Sequence, residues 1–261
     1  MGAKDRVALV TGSTSGIGLG IARAMAEAGA HVMLNGFGDP AAIAALRNEL
    51  GQAHGVRVGY HGADMSRPDE VAALVRAAQE QLGSVDILVN NAGIQHTALI
   101  EDFPRERWDA VIAINLSAAF HAMQAAIPAM KAAGWGRVIN IASAHGLVAS
   151  AQKSAYVAAK HGLMGLTKVG AIELAGDGVT VNAICPGWVL TPLVEAQLQD
   201  RAAREGAPIE DVKRRLLTEK QPMAEFTTPA SLGALAVFLC SDAARTITGA
   251  SLSMDGGWVA T

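Results

Sequence analysis

The sequence predicts an α/β fold, a doubly wound and mostly parallel sheet of seven strands covered by helices, with a small helical lid. Apolar, β-branched runs alternate along the chain with Ala-rich stretches of helical period, which is the pattern of a parallel sheet wrapped by helices. The runs are nearly continuous in their apolar character, as strands buried on both faces require. With 261 residues, 51% of them hydrophobic, we expect one domain over residues 1–261.

Each predicted element follows from a local pattern. The strands are the apolar, β-branched runs. The helices are the Ala-rich stretches of helical period. The predicted strands are 6–12, 31–37, 56–64, 86–93, 136–143, 179–187 and 249–257, and the predicted helices are 20–30, 71–83, 107–133 and 154–175.

The two long helices, over 107–133 and 154–175, are apolar nearly all round. A helix of that kind needs a cover on its outer side as well as the sheet on its inner side. We therefore expect these helices to form an interface between copies of the chain.

The segment 188–226 has a different character from the rest of the chain. It is charged, contains two helix-length pieces and interrupts the alternation of strand and helix. We interpret it as a helical substrate lid inserted within the domain.

Charge and cysteine content argue against several classes of function. The net charge is −3, and Lys and Arg are scattered, so no footprint for nucleic acid or an anionic membrane is present. We expect neither a secretion signal nor a membrane-spanning run of about 20 uncharged apolar residues. Cys185 and Cys240 lie far apart without metal-ligand spacing. Two reduced thiols in a cytoplasmic protein, and no metal site, are therefore expected.

A glycine-rich turn, TGSTSGIG at 11–18, joins the first strand to the first helix. Glycines at 12, 16 and 18 allow the backbone to turn tightly and to approach a pyrophosphate at the positive end of the helix. The spacing differs from the usual G-x-G-x-x-G fingerprint. Taken alone, the turn could equally be structural.

Three further motifs follow in order: NNAG at 90–93, Ser143 at the end of a strand, and Tyr156 followed four residues later by Lys160. With this set the whole chain resembles the short-chain dehydrogenase/reductase family. The resemblance implies a Rossmann-type fold whose dinucleotide lies across the switch point of the sheet, and assembly as a homotetramer.

The second strand bears on the choice of cofactor. Family members that prefer NAD usually end this strand with an acidic residue, but here Asn35, Gly36 and Phe37 occupy that place and Asp39 comes late. No Arg or Lys stands there, nor at Ser13 and Thr14, to neutralise the 2′-phosphate of NADP. We infer NAD.

The resemblance also assigns the cofactor contacts. Asp64 would hold the adenine amino group, although it could instead cap the next helix, with Ser66 as a competitor for that role. The cofactor residues implied are Gly12, Thr14, Ser15, Gly16, Ile17, Gly18, Phe37, Asp64, Met65, Asn91, Ala92, Gly93, Tyr156, Lys160, Pro186, Gly187, Val189 and Thr191.

Tyr156 and Lys160 share one face of a helix because they are four residues apart. An ammonium about 4 Å from the phenol would favour the phenolate by roughly 4 kcal/mol, or about three pKa units. The phenol could then exchange a proton with an alcohol or carbonyl near neutral pH. Ser143 can donate to the reacting oxygen. Asn115 is either a buried amide bonded to a neighbouring carbonyl or, as the family resemblance favours, the holder of a water in a proton relay from Lys160.

Three polar groups are expected near the reacting carbon: Lys153, one turn before Tyr156, together with His145 and Gln95 from loops at the same edge of the sheet. Together they suit a small carboxylate, although each taken singly could be a surface or loop residue. By resemblance, Gln197 from the lid also binds the carboxylate. Trp188 and Trp258 flank the pocket, and whether Trp258 reaches it from the same chain or from a neighbouring subunit stays open. The substrate residues are therefore Gln95, Ser143, His145, Lys153, Tyr156, Trp188, Gln197 and Trp258.

We expect an enzyme that interconverts a short 3-hydroxy acid and its 3-keto acid with NAD. The resemblance points to (R)-3-hydroxybutyrate and acetoacetate, with Asn115, Ser143, Tyr156 and Lys160 as the catalytic set. A reductase of 3-oxoacyl thioesters or sugars is the alternative, although it would not need a cation and a His in its pocket. A nucleotide-binding sensor without catalysis is the alternative outside the enzymes.

Overall fold

The computed structural model describes residues 2–260, apart from the side chain of Leu193. Its centre is a seven-stranded sheet in the order β3-β2-β1-β4-β5-β6-β7, and every pairing is parallel. All seven predicted strands are confirmed. They are β1 (Val7–Val10), β2 (His31–Asn35), β3 (Val58–His61), β4 (Ile87–Asn90), β5 (Gly136–Ile141), β6 (Val179–Pro186) and β7 (Ser251–Met254).

The four predicted helices are confirmed, with 107–133 divided into α4 and α5, and segment 188–226 supplies α7 and α8. Two further helices, α2 and α9, were not singled out by the sequence patterns. Asp39 caps α2 by accepting from the Ala42 backbone N–H, and Pro40 begins it. Thr228 and Ser231 form a capping box at the start of α9, so local capping marks both helices. Within residues 2–260 the α-helices are α1 (Gly16–Glu27), α2 (Pro40–His54), α3 (Pro68–Leu82), α4 (Arg105–Ile112), α5 (Ala118–Ala133), α6 (Ser154–Leu174), α7 (Pro192–Glu205), α8 (Ile209–Thr218) and α9 (Pro229–Cys240).

Helices cover both faces of the sheet. Alternate residues of a strand point to opposite faces, so in β1 Ala8 and Val10 enter the core under α1, α2 and α9. Val7 and Leu9 enter the second core, under α3, α5 and α6. This two-sided burial accounts for the continuous apolar character of the strands.

Helix α4 runs into α5 through a π-helical turn at Ala113–Ser117, so Arg105–Ala133 is one continuous helical stretch. By length and composition it could cross a bilayer, and our expectation that no such run exists was therefore wrong. In the structure it packs as a core helix, since Ala118, Ala122, Met123, Ala126 and Met130 are buried in the second core. Packing in the second core therefore accounts for the apolar residues on the inner face of this helix.

The segment 188–226 forms α7 and α8, in agreement with the two predicted helical pieces. Its two ends are held together, because Leu190 N–H donates to the Thr227 carbonyl and Thr227 N–H donates to the Trp188 carbonyl. The segment thus leaves the body of the fold and returns to it at one place.

Candidate active site

A cleft of about 1220 Å³ opens at the carboxyl edge of the sheet. The chain order reverses between β1 and β4, so the loops after these strands diverge and leave room between them. The cleft is lined by Gly12, Thr14, Ser15, Gly16, Ile17, Gly18, Asn35, Gly36, Phe37, Ala63, Asp64, Met65, Asn91, Ala92, Gly93, Ile94, Gln95, His96, Thr97, Ile114, Ile141, Ala142, Lys153, Tyr156, Lys160, Trp188, Thr191, Pro192, Val194 and Gln197.

The glycine-rich turn forms one wall of the cleft. Gly12 and Gly16 have φ of +61° and +57°, which favours glycine. A Cβ at Gly18 would lie 2.3 Å from the Gly12 carbonyl oxygen. Ser15, the N-cap of α1, makes no side-chain cap, so the first N–H groups of α1 remain able to bind an anion. These features fit the pyrophosphate of a dinucleotide.

Beyond this turn, Asn35 organises the end of the cleft at the position where an acidic residue is absent. Asn35 Oδ1 accepts from Gly12 N–H at 3.1 Å, and its Nδ2 donates to the carbonyls of His61 and Ala63. Phe37 is 70% exposed. Among the described lining residues at this end there is no Arg or Lys. Asn35, at the end of β2, therefore holds the backbone of neighbouring loops in place, and no described lining residue here supplies a cation for a 2′-phosphate.

Asp64 lies at this end of the cleft, but its carboxylate is already engaged. Asp64 Oδ1 accepts from Ser66 N–H at 2.8 Å, and bonds from Ser66 lower the pKa of Asp64 below its ordinary value. The N-cap of α3 is Arg67, so neither Asp64 nor Ser66 caps that helix. Asp64 stabilises a turn and still borders the cleft.

Asn115 is buried within the π-helical turn, and both ends of its amide bond to Ile94. Its Oδ1 accepts from Ile94 N–H at 2.9 Å, and its Nδ2 donates to the Ile94 carbonyl at 3.0 Å. Of the two readings of Asn115, the geometry thus matches the amide bonded to a neighbouring carbonyl. The relay through a water stays a prediction.

Tyr156 and Lys160 line the cleft, and Ser143 lies beside Tyr156. The Tyr156 phenol hydrogen-bonds with the Ser143 side chain. The Lys160 ammonium is buried, donates to the Ile141 carbonyl at 2.7 Å, and lies 5.6 Å from the centroid of the Tyr156 ring. The Lys160 ammonium thus lies near the Tyr156 ring, but its hydrogen bond is to the Ile141 carbonyl, a partner that sequence patterns did not indicate.

The predicted direction of the Tyr156 shift is wrong for this structure. Burial raises the pKa of Tyr156, and the bond with Ser143 opposes that effect only in part. Burial also lowers the pKa of Lys160 to about 8. The ammonium faces the Ile141 carbonyl and not the phenol at close range, so its field does not offset the loss of hydration around the phenol.

Lys153, Trp188, Gln95 and Gln197 line the other end of the cleft. Burial lowers the pKa of Lys153, and its ammonium lies 5.8 Å from the centroid of the Trp188 ring. Within residues 2–260 no acidic side chain lies within ion-pair distance of Lys153. A half-buried cation therefore borders a cavity with no anion of the protein beside it.

His145 and Trp258 form an aromatic wall behind this end. The His145 ring makes edge contacts with the rings of Trp258 and Tyr156, with centroid separations of 5.0 Å and 6.0 Å. The Trp258 ring stacks on the Trp188 ring with a centroid separation of 6.3 Å. Trp258 thus packs against His145 and Trp188 of its own chain. Burial, with the positive charge of Lys153, lowers the pKa of His145 to about 4, so its ring is neutral near pH 7.

Most of the predicted residues thus share one cleft, but some do not line it. Those that lie behind or beside its surface are Asn115, Ser143, His145, Pro186, Gly187, Val189 and Trp258. Val189 is buried and pairs with Thr227 at the base of the lid. Ile94, His96, Thr97 and Val194 line the cleft but had not been predicted. The sequence could have indicated them as lining residues, because they lie directly beside Gln95 or near Gln197 in the chain.

Comparisons with known proteins agree with this geometry. The model of the family described as Enoyl-(Acyl carrier protein) reductase matches residues 12–259. The D-beta-hydroxybutyrate dehydrogenase of Cupriavidus necator is 64% identical over 255 residues, 98% of either chain. That of Rhizobium meliloti is 54% identical over 98% of this chain and 99% of its own. The structure of L-sorbose reductase from Gluconobacter frateurii with NADPH and L-sorbose superposes with a TM-score of 0.95 at 32% identity, over 100% of this chain and 99% of its own.

Proposed function

The chain belongs to the short-chain dehydrogenase/reductase family, and from that premise we propose that it oxidises (R)-3-hydroxybutyrate to acetoacetate, and catalyses the reverse reduction, with NAD. The relatives at 64% and 54% identity carry the name of this activity, D-beta being the (R)-3 configuration. The observation that carries the proposal is the ammonium of Lys153, half-buried in the same cleft as Tyr156 and Lys160 without an acidic partner among the described residues.

The substrate carboxylate is proposed to meet Lys153, with Gln95 and Gln197 as further donors. A carboxylate that leaves water needs a cation and several hydrogen bonds to compensate for its lost hydration. His145 is neutral near pH 7, so it serves as a hydrogen-bonding group and not as a second cation. Its Nε2 lies 3.0 Å from Ser150 Oγ, which holds the ring in place.

The chemistry at the other end of the substrate falls to Tyr156 and Ser143. Bound NAD would supply the acceptor for the hydride that leaves the carbon bearing the hydroxyl group. Tyr156 Oη takes the hydroxyl proton in oxidation and returns it in reduction. Ser143 Oγ donates to the reacting oxygen. Lys160 holds its ammonium near the phenol ring, and Asn115 is proposed to fix the loop beside it.

NAD rather than NADP is proposed because the far end of the cleft offers Phe37 and Asp64 but no cation among the described residues. The groups proposed to hold the dinucleotide are the glycine-rich turn, Asn91 to Gly93, Tyr156 and Lys160. Asn91 Nδ2 donates to the carbonyls of Thr11 and Gly12, which joins two of these walls.

Three further features complete the proposal. Segment 188–226 would close over the substrate, since Trp188 and Gln197 already border the cleft.

The assembly is proposed to be a homotetramer, because Phe120, Val169 and Ile172 leave apolar surface exposed on α5 and α6. A mass in solution of four times the 26.9 kDa chain would test this. Two unpaired buried cysteines favour a reducing, cytoplasmic location.

A steady-state assay tests the function directly. NADH production is measured with (R)-3-hydroxybutyrate, (S)-3-hydroxybutyrate, the coenzyme A thioester of 3-hydroxybutyrate and a simple sugar alcohol. We expect the (R) acid to have the highest kcat/KM. A higher value for the thioester would replace the proposal by a thioester reductase, and no turnover of any of them would favour a binding protein without catalysis.

A further inference from the structure

We infer that Gln152 is a positioning residue for substrate recognition, because its strained backbone ties the loop that carries Gln95 to the turn that carries Lys153. The inference deepens the proposed function and rests on it. It begins from the left-handed conformation of Gln152, whose φ is +64°. Residues other than glycine seldom adopt this conformation, and such outliers persist only where surrounding contacts impose them.

The contact that imposes this conformation is a backbone hydrogen bond between two loops. The Gln152 carbonyl accepts from the Ala98 N–H at 3.1 Å. Gln152 itself is exposed and follows exposed residues, so no core packing holds it. The bond therefore joins the loop after β4 to the turn that precedes α6.

The loop after β4 is held at both ends. At one end, Asn115 makes two hydrogen bonds to the backbone of Ile94. At the other end, Ala98 is bonded to Gln152. The three residues between these anchors, Gln95, His96 and Thr97, all line the cleft. Their short span means that the two anchors decide where the Gln95 side chain stands.

The turn after Gln152 places Lys153 in the same way. Lys153 is the N-cap of α6, and its carbonyl accepts from Val157 N–H at 2.8 Å. Lys153 is therefore fixed to the helix on its C-terminal side and to Gln152 on the other. One strained peptide thus sets the relative position of two proposed carboxylate ligands, while Tyr156 is held independently by the helix.

The test exploits the strain itself. In Gln152→Val, a β-branched side chain opposes the left-handed conformation but leaves the carbonyl acceptor in place. In Gln152→Gly, the residue adopts the left-handed conformation without steric cost, and the carbonyl acceptor is retained. Asp5→Val is the matched control, since Asp5 is the other described non-glycine residue of positive φ, at 59°, and is also exposed. Ala98→Pro removes the donor of the bond and covers the case in which Gln152→Val does not fold.

The readouts are kcat and KM for acetoacetate and kcat/KM for 2-pentanone, a neutral ketone of similar shape. We expect Gln152→Val and Ala98→Pro to raise KM for acetoacetate roughly 5- to 30-fold, which is about 1–2 kcal/mol at 1.4 kcal/mol per tenfold. The kcat for acetoacetate, and kcat/KM for 2-pentanone, should stay within about twofold. Gln152→Gly should restore KM to within about threefold of the unmodified protein, and Asp5→Val should lower Tm without changing KM.

Unchanged KM in both Gln152→Val and Ala98→Pro would overturn the inference. Equal losses on acetoacetate and 2-pentanone would also overturn it, since they would indicate a general distortion of the start of α6. If the unmodified protein does not turn over acetoacetate at all, the proposed function fails. If it does, and Lys153→Ala is selective while the two loop variants are not, only the role of Gln152 fails.

Discussion

Replacement of Lys153 separates recognition of a carboxylate from the chemistry common to the family. Lys153→Ala removes the ammonium, and Lys153→Met removes the charge but keeps an unbranched apolar side chain of similar length that can pack on Trp188. Tyr156 and Lys160 stand on later turns of α6 and bond to groups other than Lys153. Both variants should therefore fold and bind NAD as the unmodified protein does.

The surroundings of Lys153 set the expected loss of kcat/KM when its charge is removed. An exposed lysine contributes less than about 1 kcal/mol to an ion pair, but this one is half-buried, and burial lowers its pKa. Truncating one partner of a desolvated charge pair costs about 2–5 kcal/mol. Because the cleft is open to solvent in this structure, we expect the loss of the Lys153 charge to cost about 2–4 kcal/mol of transition-state stabilisation. This corresponds to a loss of roughly 30- to 700-fold in kcat/KM for acetoacetate.

The assay compares acetoacetate with 2-pentanone, which lacks the carboxylate. We expect the large loss on acetoacetate in both variants and a change of less than about threefold on 2-pentanone. The unmodified protein should also lose affinity for acetoacetate as pH rises through the lowered pKa of Lys153, because the ammonium is then neutralised, and 2-pentanone should not show this. Equal losses on the two ketones would refute the pairing and assign Lys153 to support of α6.

Three other predictions test other parts of the site. Tyr156→Phe should lower kcat at least 100-fold while Kd for NADH, measured by fluorescence titration, changes less than about twofold; more than a tenth of the original turnover would contradict the proton-transfer role. His145 has a folded pKa lowered to about 4, so it contributes stability that is present above pH 6.5 and is lost as pH falls toward 4. Tm of the unmodified protein should therefore fall more steeply than Tm of His145→Gln over that range, and parallel curves would contradict the shift. The protein should prefer NAD over NADP at least 100-fold in kcat/KM, and Phe37→Arg, which puts a cation at the exposed end of the cleft, should narrow that preference at least tenfold; an unchanged ratio would place the 2′-hydroxyl elsewhere.

The strands and most helices could be predicted because each rests on a local signal. Continuous apolar runs form β1 to β7, and the alternation of strand with helix requires a parallel sheet. The helices that the sequence patterns did not single out, α2 and α9, are marked locally by short caps at Asp39 and Thr228. The apolar character of 107–133 was predicted, but its length as a possible membrane span was not, because Asn, Ser, His and Gln interrupt its apolar residues.

The sequence by itself determined which groups meet at the carboxyl edge of the sheet, since glycine spacing, strand ends and the four-residue step from Tyr156 to Lys160 are local properties of the chain. Only the tertiary structure decided how those groups are used. Asn35 and Asn115 proved to be bonded to distant backbone groups, the Lys160 ammonium to face the Ile141 carbonyl, and Trp258 to pack on its own chain. The direction of a hydrogen bond and the desolvation that raises the pKa of Tyr156 depend on atoms supplied by elements far apart in the chain, and no local pattern encodes them.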